Sequence, residues 1–511
     1  VNTKTDLLAL RSGEPVAMTA IPVLPLPIFW DRVVSGVDDG LRISALFGQP
    51  AGAAGEGVRL FAILADDGGG VLHAACADVD REYPALTPDC PQAHWFEREI
   101  AEQWGVRPTG HPWLKPIRFH GSYRPGHDAW QREGGGAIEP SVTDFFRVEG
   151  DEIHEVAVGP VHAGVIEPGH FRFQCFGETV LHLEISLGYQ HRGVERALFK
   201  GGGKRAIHYA ETLAGDTTIG HALAFVRGVE ALAGVRTPAR AHALRAVAME
   251  LERLANHAGD LGALAGDVGF LPTAAYCGRL RGEYLNMTAL LCGNRFGRNL
   301  VRPGGVQFDL DPARCEELLK RLNAAESDTR NAVELMFSTP SVLARFEETG
   351  AVPEDDGQAL GLVGPAARAC GIERDVRQDH PFGFYRFHQI PIATSTTGDV
   401  YARALVRWLE IQRSITFIRE VAQSLPEGVA MSGDAGRMAP DSLVVSLVEG
   451  WRGEVCHVLM TDREGALAGG KVVDPSFHNW MGLALALRNQ QISDFPLCNK
   501  SFNLSYCGHD L

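Results

Sequence analysis

Apolar and polar positions alternate along Leu41-Arg-Ile-Ser-Ala-Leu-Phe47, which predicts a strand. Leu60-Phe-Ala-Ile-Leu64 then faces Val71-Leu-His-Ala-Ala75 across Asp66-Asp-Gly-Gly-Gly70, a hairpin with a flexible turn. The period next changes from two to four. Phe96, Ile100 and Trp104 predict an amphipathic helix over 94–104, stopped by Gly105. Together these elements predict an α+β domain over 1–120. From His120 to about Asp151 glycine, proline and charge dominate without sustained periodicity, so 121–151 reads as a linker.

A second hairpin pattern runs through Phe171-Arg-Phe-Gln-Cys-Phe176 and Thr179-Val-Leu-His-Leu-Glu-Ile185. Beyond it helical spacing takes over. Leu244, Val247, Leu251, Leu254 and Ala258 step by three and four, and similar patterns occupy roughly 205–233, 272–292, 312–336 and 400–424. Residues 152–511 are therefore predicted to form a mainly α-helical domain introduced by a small N-terminal β-sheet. No repeat of fixed period is present.

Composition narrows the class. At about 150 residues per domain, 511 residues imply two to four domains. Hydrophobic residues at 45% and charged residues at 22% exclude a disordered or fibrous chain. The balance of 48 Lys+Arg against 63 Asp+Glu, net -15, argues against nucleic acid as a partner, since no basic block could neutralise phosphates. No window reaches 18 apolar residues, and Val16 to Trp30 is interrupted by Pro22, Pro25 and Pro27, so neither a membrane span nor a secretory signal is expected. Ten cysteines at irregular spacing, with no CxxC pair, fit reduced thiols in a cytosolic protein.

Several short strings occur in one order that resembles a family. Glu97-Arg-Glu-Ile-Ala-Glu-Gln-Trp-Gly105 with Gly110-His-Pro-Trp-Leu114 resembles the 30-kDa subunit of respiratory complex I. Gly159-Pro-Val-His162, Glu167-Pro-Gly-His-Phe-Arg172, Gly188-Tyr-Gln-His-Arg-Gly193, Glu250-Leu-Glu-Arg-Leu-Ala-Asn-His257, Arg302-Pro-Gly-Gly-Val306, Gly364-Pro-Ala-Ala-Arg368, Arg374-Asp375, Gly398-Asp-Val-Tyr-Ala-Arg403 and Val406-Arg407 follow. They resemble the 49-kDa subunit and, more closely, the large subunit of group 4 membrane-bound nickel-iron hydrogenases of the formate hydrogenlyase type, where the two domains are fused in this order.

The departures from that family matter most. Its hydrogenases hold a nickel-iron centre with four thiolates from two CxxC pairs, soft donors suited to a redox metal. The resemblance places those ligands at Ala214, Thr217, Ser505 and Gly508, none of which is cysteine. Cys507 lies one position out of register, Cys498 is not spaced to complete a pair, and His509 with Cys507 makes too few donors for a metal site. No metal is expected. The complex I pattern, in which the emptied cavity takes a quinone headgroup, is also incomplete: Gly215 stands at the quinone tyrosine, Tyr209 lies six residues upstream, and the headgroup histidine corresponds to His162 or His170. Family processing after the second CxxC pair would not be needed by a chain ending at Asp510-Leu511, whose tail is expected to tuck into the core.

Other residues carry two readings each. Arg192 resembles the arginine beside the partner subunit's proximal iron-sulfur cluster, where a positive charge favours the reduced state; otherwise it is a surface or ion-paired arginine. His257 either faces that interface or is a satisfied core histidine. Asp216 either serves a cavity or caps the helix that begins near Thr218. His221 faces the cavity in the family register, with either a structural role or one in proton transfer. Arg374 and Asp375 form either a buried pair lining the cavity or a structural salt bridge. The resemblance implies a chain that binds no cofactor alone and sits at the cytoplasmic side of a membrane. There it would dock on a small iron-sulfur subunit, a ferredoxin-like subunit and membrane-arm subunits, and would shape a cavity where a quinone or other acceptor is reduced. The alternative is a non-catalytic structural or coupling subunit.

Overall fold

The hairpin and helix patterns of the first 120 residues appear as expected in the computed structural model, which describes residues 6–51, 57–132, 138, 144–163, 166–200, 203–433 and 436–511. The chain runs through β1 (Leu8–Leu10), β2 (Val16–Ala17), α1 (Leu26–Asp38), β3 (Arg42–Ala51), β4 (Gly57–Asp66), β5 (Val71–Val79), β6 (Glu82–Pro84), α2 (His94–Trp104) and β7 (Arg107–Thr109). Strands β1-β5-β4-β3 form an antiparallel sheet with Asp66 opposite Val71 across the glycine turn, and α1 and α2 pack on it. Gly105, left-handed at φ 63°, ends α2 as the sequence predicts.

The next part opens with a three-stranded sheet, β8 (Ile153–Val158), β9 (His170–Phe176) and β10 (Thr179–Ser186), in the order β10-β9-β8. Then come α3 (Val194–Phe199), α4 (Ala206–Ala210), α5 (Thr218–Ala233), α6 (Ala239–Asp267) and α7 (Leu271–Cys292). The helical pattern over 205–233 is thus broken at 211–217, the loop that carries the first expected ligand positions. A two-stranded ribbon, β11 (Val301–Arg302) and β12 (Gly305–Val306), precedes α8 (Pro312–Phe337), α9 (Pro340–Phe346), α10 (Glu354–Leu360), α11 (Gly364–Ala369), α12 (Val376–Asp379) and α13 (Val400–Gln423). Helix α6 is the axis of this body and packs on both α7 and α13.

The remainder corrects the expectation of a helical domain with only a small N-terminal sheet. Strands β13 (Ser442–Gly450), β14 (Gly453–Thr461) and β15 (Leu467–Val473) form a second sheet in the order β15-β14-β13-β2, followed by α14 (Pro475–Ala486), α15 (Phe495–Phe502) and α16 (Tyr506–His509). Every residue of β13 and β14 is buried. A strand covered on both faces loses its period-two alternation, so the run Leu443-Val-Val-Ser-Leu-Val448 carries no strand signature that alternation would catch.

The boundary at 120 is not a clean cut either. Strand β2 pairs with β13 through Val16 opposite Leu443, and the Gly13 amide donates to the Val445 carbonyl (2.7 Å). One cluster of buried apolar side chains runs from Leu10 to Leu511 and spans the expected boundary. Within the expected linker, residues 133–137 and 139–143 lie outside the described residues. Its first stretch is packed, because long side chains anchor it: Arg124 is buried, the Tyr123 amide donates to Gln103 O (2.7 Å) and Trp130 Nε1 donates to Leu114 O (3.3 Å). Among the described residues no helix is long and apolar enough to cross a membrane.

One backbone contact fixes how α11 meets the second sheet. Gly364 has φ 67°, and a Cβ there would lie 2.0 Å from the Arg452 carbonyl; a Cβ on Gly453 would lie 2.7 Å from the Gly364 amide nitrogen. Only glycine permits this approach. Gly364→Ala should therefore lower stability by about 3 kcal/mol or more, whereas Gly278→Ala, on an open face of α7 with nothing within 4 Å, should be neutral or stabilising by up to about 1 kcal/mol. Thermal unfolding of both variants checks the contrast, and equal melting temperatures would contradict it.

Candidate functional site

The turn between β13 and β14, Glu449-Gly-Trp-Arg-Gly-Glu454, sends three charged side chains into three buried clusters. Arg452 enters the loop that carries the first two expected ligand positions. Its Nη1 and Nη2 donate to the Asp216 carboxylate (2.6 and 2.7 Å), its Nε donates to the Asn503 carbonyl, and Nη1 also reaches Thr217 Oγ1 (3.3 Å). The guanidinium lies 3.9 Å from the Trp451 ring centroid. Burial opposes its charge, but Asp216 with Asp474 and Asp260 outweighs burial and keeps the guanidinium protonated.

Beside this pair runs a hydrogen-bonded chain with no exposed atom to speak of. His221 Nε2 donates to Asp474 Oδ2 (3.0 Å), which leaves its Nδ1 to accept from His457 Nε2 (3.1 Å). Burial and the neighbouring His221 hold His457 well below the ordinary histidine range, and its Nδ1 has no hydrogen-bond partner among the described residues. Burial raises Asp474, yet His221 and Arg452 more than reverse that and hold it below the usual carboxylate range. Asp474 also caps α14 by accepting from the Ser476 amide (2.8 Å).

The four expected ligand positions are committed elsewhere. Ala214 is fully buried; the Thr217 hydroxyl sits against Asp216 (3.3 Å) and Arg452. Ser505 Oγ caps α16 by accepting from the Gly508 amide (2.9 Å). A Cβ on Gly508 would lie 2.6 to 2.8 Å from the Asp474 carboxyl atoms, so Asp474 fills the space a ligand side chain would need. Cys507 touches Ser505 Oγ (3.4 Å), and burial with Glu167 pushes its thiol up to about 12, away from the thiolate that binds metal. Cys498 packs instead against Gly350. Among the described residues no three His, Cys, Asp or Glu side chains converge as a metal ion requires. A four-thiolate nickel-iron centre does not fit these residues.

Glu449 joins the second cluster. It accepts from Arg368 Nη1 (2.8 Å) and from the Val376 amide (3.1 Å), while Arg368 also holds Glu410 (2.7 Å) and Arg377 holds both Asp375 (2.6 Å) and Glu250 (3.2 Å). Arg253 joins them, donating to Glu250 (3.1 Å) and to the Gly450 and Glu449 carbonyls. Three guanidiniums thus face four carboxylates. Burial and the neighbouring Asp375 push Glu449 up, against the pull of Arg368. Glu454 enters the third cluster, where Arg42 binds it (2.7 Å) and also Asp67 (2.8 Å); Asp67 in turn receives Arg374 (2.8 Å) and His380 (3.2 Å). Burial raises Asp67, but Arg42, His380 and Arg374 hold it well below the carboxylate range.

Several sequence expectations change here. Arg374 and Asp375 do not pair with each other: Asp375 is extended (φ -155°, ψ 116°), so consecutive side chains leave on opposite sides and enter different clusters. His257 does not face an interface; it is fully buried, donates to Glu410 (2.7 Å) and is pushed down to about 4 by burial. Asp216 is not the helix cap. The α5 amides of Ile219 and Gly220 instead donate to Glu252 of α6 (2.7 and 3.2 Å). Burial pushes Glu252 up to about 8 despite those donors.

Arg192 is exposed, and its guanidinium donates to the carbonyls of Thr212 and Leu213 (both 3.0 Å) at the start of the ligand loop. His162 reaches Tyr506 Oη (3.3 Å) beside the second ligand segment, whereas His170 lies against Arg172 (3.3 Å) and Phe145. Tyr209 is half-buried at the end of α4. Asp510 is buried and accepts from the Gly188 and Gln190 amides (2.8 and 3.0 Å), so the last residues do tuck in. Arg452, Asp474, His457, Glu449, Glu252 and Glu454 were missed; the one signal for three of them was alternating charge around Trp451 and two glycines.

This arrangement meets the comparisons with known proteins. The respiratory-chain NADH dehydrogenase 30 Kd subunit profile matches residues 44–132, and the 49 Kd subunit profile matches 267–442. Hydrogenase-4 component G of Escherichia coli (strain K12) is 28% identical over 448 residues, covering 85% of this chain and 77% of that protein. Formate hydrogenlyase subunit 5 of the same strain is 29% identical over 445 residues, 83% of this chain and 76% of that one. Carbon monoxide-induced hydrogenase of Rhodospirillum rubrum is 30% identical over 351 residues, covering 68% of this chain and 97% of its own. The chain belongs to the family of fused complex I 30-kDa/49-kDa subunits and group 4 hydrogenase-related large subunits.

Two measurements test the site. Arg452→Met strands Asp216 and Asp474 and should cost about 3 kcal/mol, the scale for breaking a buried pair with one partner a third exposed. Asp216→Asn in the same chain should recover part of that loss, so a denaturation cycle should show coupling; strict additivity would break up the pair. Glu252 is raised from 4.5 to about 8, so its neutral form stabilises the fold fully below pH 4.5 and that contribution is lost as pH rises through 8. Glu252→Gln, which stays neutral, should flatten the fall in stability between about pH 4.5 and 8, and an unchanged slope would refute the assignment.

Proposed function

We propose that this chain is a nickel-free, hydrogenase-like subunit of a membrane-associated, multi-subunit oxidoreductase related to complex I. In this reading it lies peripherally at the cytoplasmic face and docks on a small iron-sulfur subunit, with ferredoxin-like and membrane-arm subunits in the same assembly. The named relatives support the assembly: besides the hydrogenase components, an NADH-quinone oxidoreductase subunit of Bdellovibrio bacteriovorus (strain ATCC 15356 / DSM 50701 / NCIMB 9529 / HD100) is 27% identical over 362 residues, 68% of this chain and 64% of that one. Arg192 supports the docking face. It is an exposed arginine fixed by two carbonyls, with no carboxylate partner among the described residues, and so offers its charge outward to a neighbour's cluster.

One observation favours coupling over reduction of an acceptor inside this chain. The metal position is closed by the Arg452–Asp216 pair and by Asp474, and the recess beside Asp216 has a volume of about 10 Å³. That is room for about one water, whereas a ring the size of benzene needs a cavity near about 150 Å³. The second cluster gives coupling a chemical means: with four carboxylates against three guanidiniums, one proton can enter or leave at Glu449 while the ion-pair frame stays in place. A negative charge arriving nearby favours uptake.

The recess carries the second reading, in which a quinone or other acceptor enters when the Arg452–Asp216 pair swings aside and Asp216 or Glu252 supplies a proton. Elemental analysis and hydrogen-dependent dye reduction on the purified complex test the nickel-free premise of both: the expected result is no nickel on this subunit and no hydrogen turnover. About one nickel per chain, with dye reduction lost in Cys507→Ala, would overturn it. A competitive quinone analogue protecting Asp216 from carbodiimide labelling would select the second reading over the first.

A further inference from the structure

A cleft of about 440 Å³ opens where residues 11–14, the β4–β5 turn and residues 379–386 meet. Its volume is that of a small-molecule site, and it lies at a junction of the two family domains, where such sites concentrate. Arg11 and Arg386 line it, and among the described residues neither side chain meets a carboxylate; Arg386 Nε donates only to the Pro381 carbonyl (3.2 Å). Arg227 of α5 lies behind the wall of this cleft, against the Ser12–Glu14 segment. Its Nη2 lies 3.1 Å from where a side chain on Gly13 would begin, and its guanidinium lies 4.8 Å from the Phe382 ring centroid.

Arg227 donates to the Leu447 carbonyl and to Ser446 Oγ but has no ion-pair partner among the described residues; Glu230, a carboxylate that opposes its loss of charge, is held by Arg245 (2.6 and 3.0 Å). Burial and the nearby Arg386 push Arg227 down to about 9, and it still carries its proton at neutral pH. Arg227 and Arg386 repel each other, a cost that an anion between Arg386 and Arg11 would relieve. Phosphate oxygens match the guanidinium fork in geometry and charge. Glu14 and Asp379 also line the cleft and can accept from hydroxyl groups of the same ligand.

We propose that this cleft binds a small phosphate-bearing molecule, its phosphate held by Arg386 and Arg11 with Arg227 adding charge from behind the cleft wall. Soluble phosphate esters and phosphatidic acid share that chemistry. The test uses the purified complex with the full chain, equilibrium dialysis against radiolabelled inorganic phosphate, and flotation with phosphatidic-acid vesicles. The expected result is saturable binding of about one phosphate per chain, weakened about tenfold or more by Arg386→Met and by Arg11→Met and less by Arg227→Met, tightened by Glu14→Gln and untouched by Arg314→Met on α8. Vesicle binding that depends on Arg386, without phosphate binding, would assign the site to a lipid headgroup and still support it. Phosphate binding unchanged in Arg386→Met, or neither form of binding, would overturn it; the exposed Arg386 keeps the test valid if Arg227→Met fails to assemble.

Discussion

The hairpin that turns at Trp451-Arg452, with its paired strand ends Glu449-Gly450 and Gly453-Glu454, is the constraint on which the buried polar architecture depends. Its ends hold Glu449 and Glu454 at the mouths of two charge clusters, and its middle holds Arg452 in a third. Backbone contact between Gly364 and the turn leaves no room for a side chain on either partner, so α11, and with it Arg368, is set against the turn rather than free to adjust. Each cluster then recruits a different part of the chain: the first-domain hairpin through Asp67, the ligand loop through Asp216, and α6 with α13 through Glu250 and Glu410.

Buried ion pairs of this density are poor sources of net stability, because desolvation consumes most of their attraction. Their effect is on geometry: removing any one member leaves a charge without a partner, which restricts the turn to a single placement. Around the expected ligand positions this chain has an arginine, two aspartates and two histidines linked by hydrogen bonds. These residues form an internal joint between the 211–217 loop, the second sheet and the C-terminal helices, joined by carbonyl contacts to the cluster where carboxylates exceed guanidiniums. That continuity is why a coupling role follows more readily from the geometry than an open reducing site.

Local pattern was enough to read both hairpins, α2, α7, α8 and α13, and the ordered motifs were enough to read the family and the missing cysteines. What escaped was set by distant partners. The β13–β15 sheet is covered on both faces and so shows no alternation. Asp216 had the local form of a cap, but Arg452, 236 residues away, binds it more strongly than a helix amide would, and Glu252 takes the cap's role from α6. His257 sits in a family motif whose outward reading Glu410 cancels by drawing the ring inward. Gly508 seemed a simple loss of a ligand; only the neighbouring Asp474 shows that the space is filled.

A cryo-EM map of the intact complex at side-chain resolution, recorded with and without an electron donor, bears most directly on the claim that the metal position is a closed ion-pair joint. The account expects Arg452 density bridging Asp216 and the Asn503 carbonyl, with Asp474 against Gly508, in both states. Density for a metal or for an acceptor ring between Asp216 and His221, with Arg452 turned away, would contradict it.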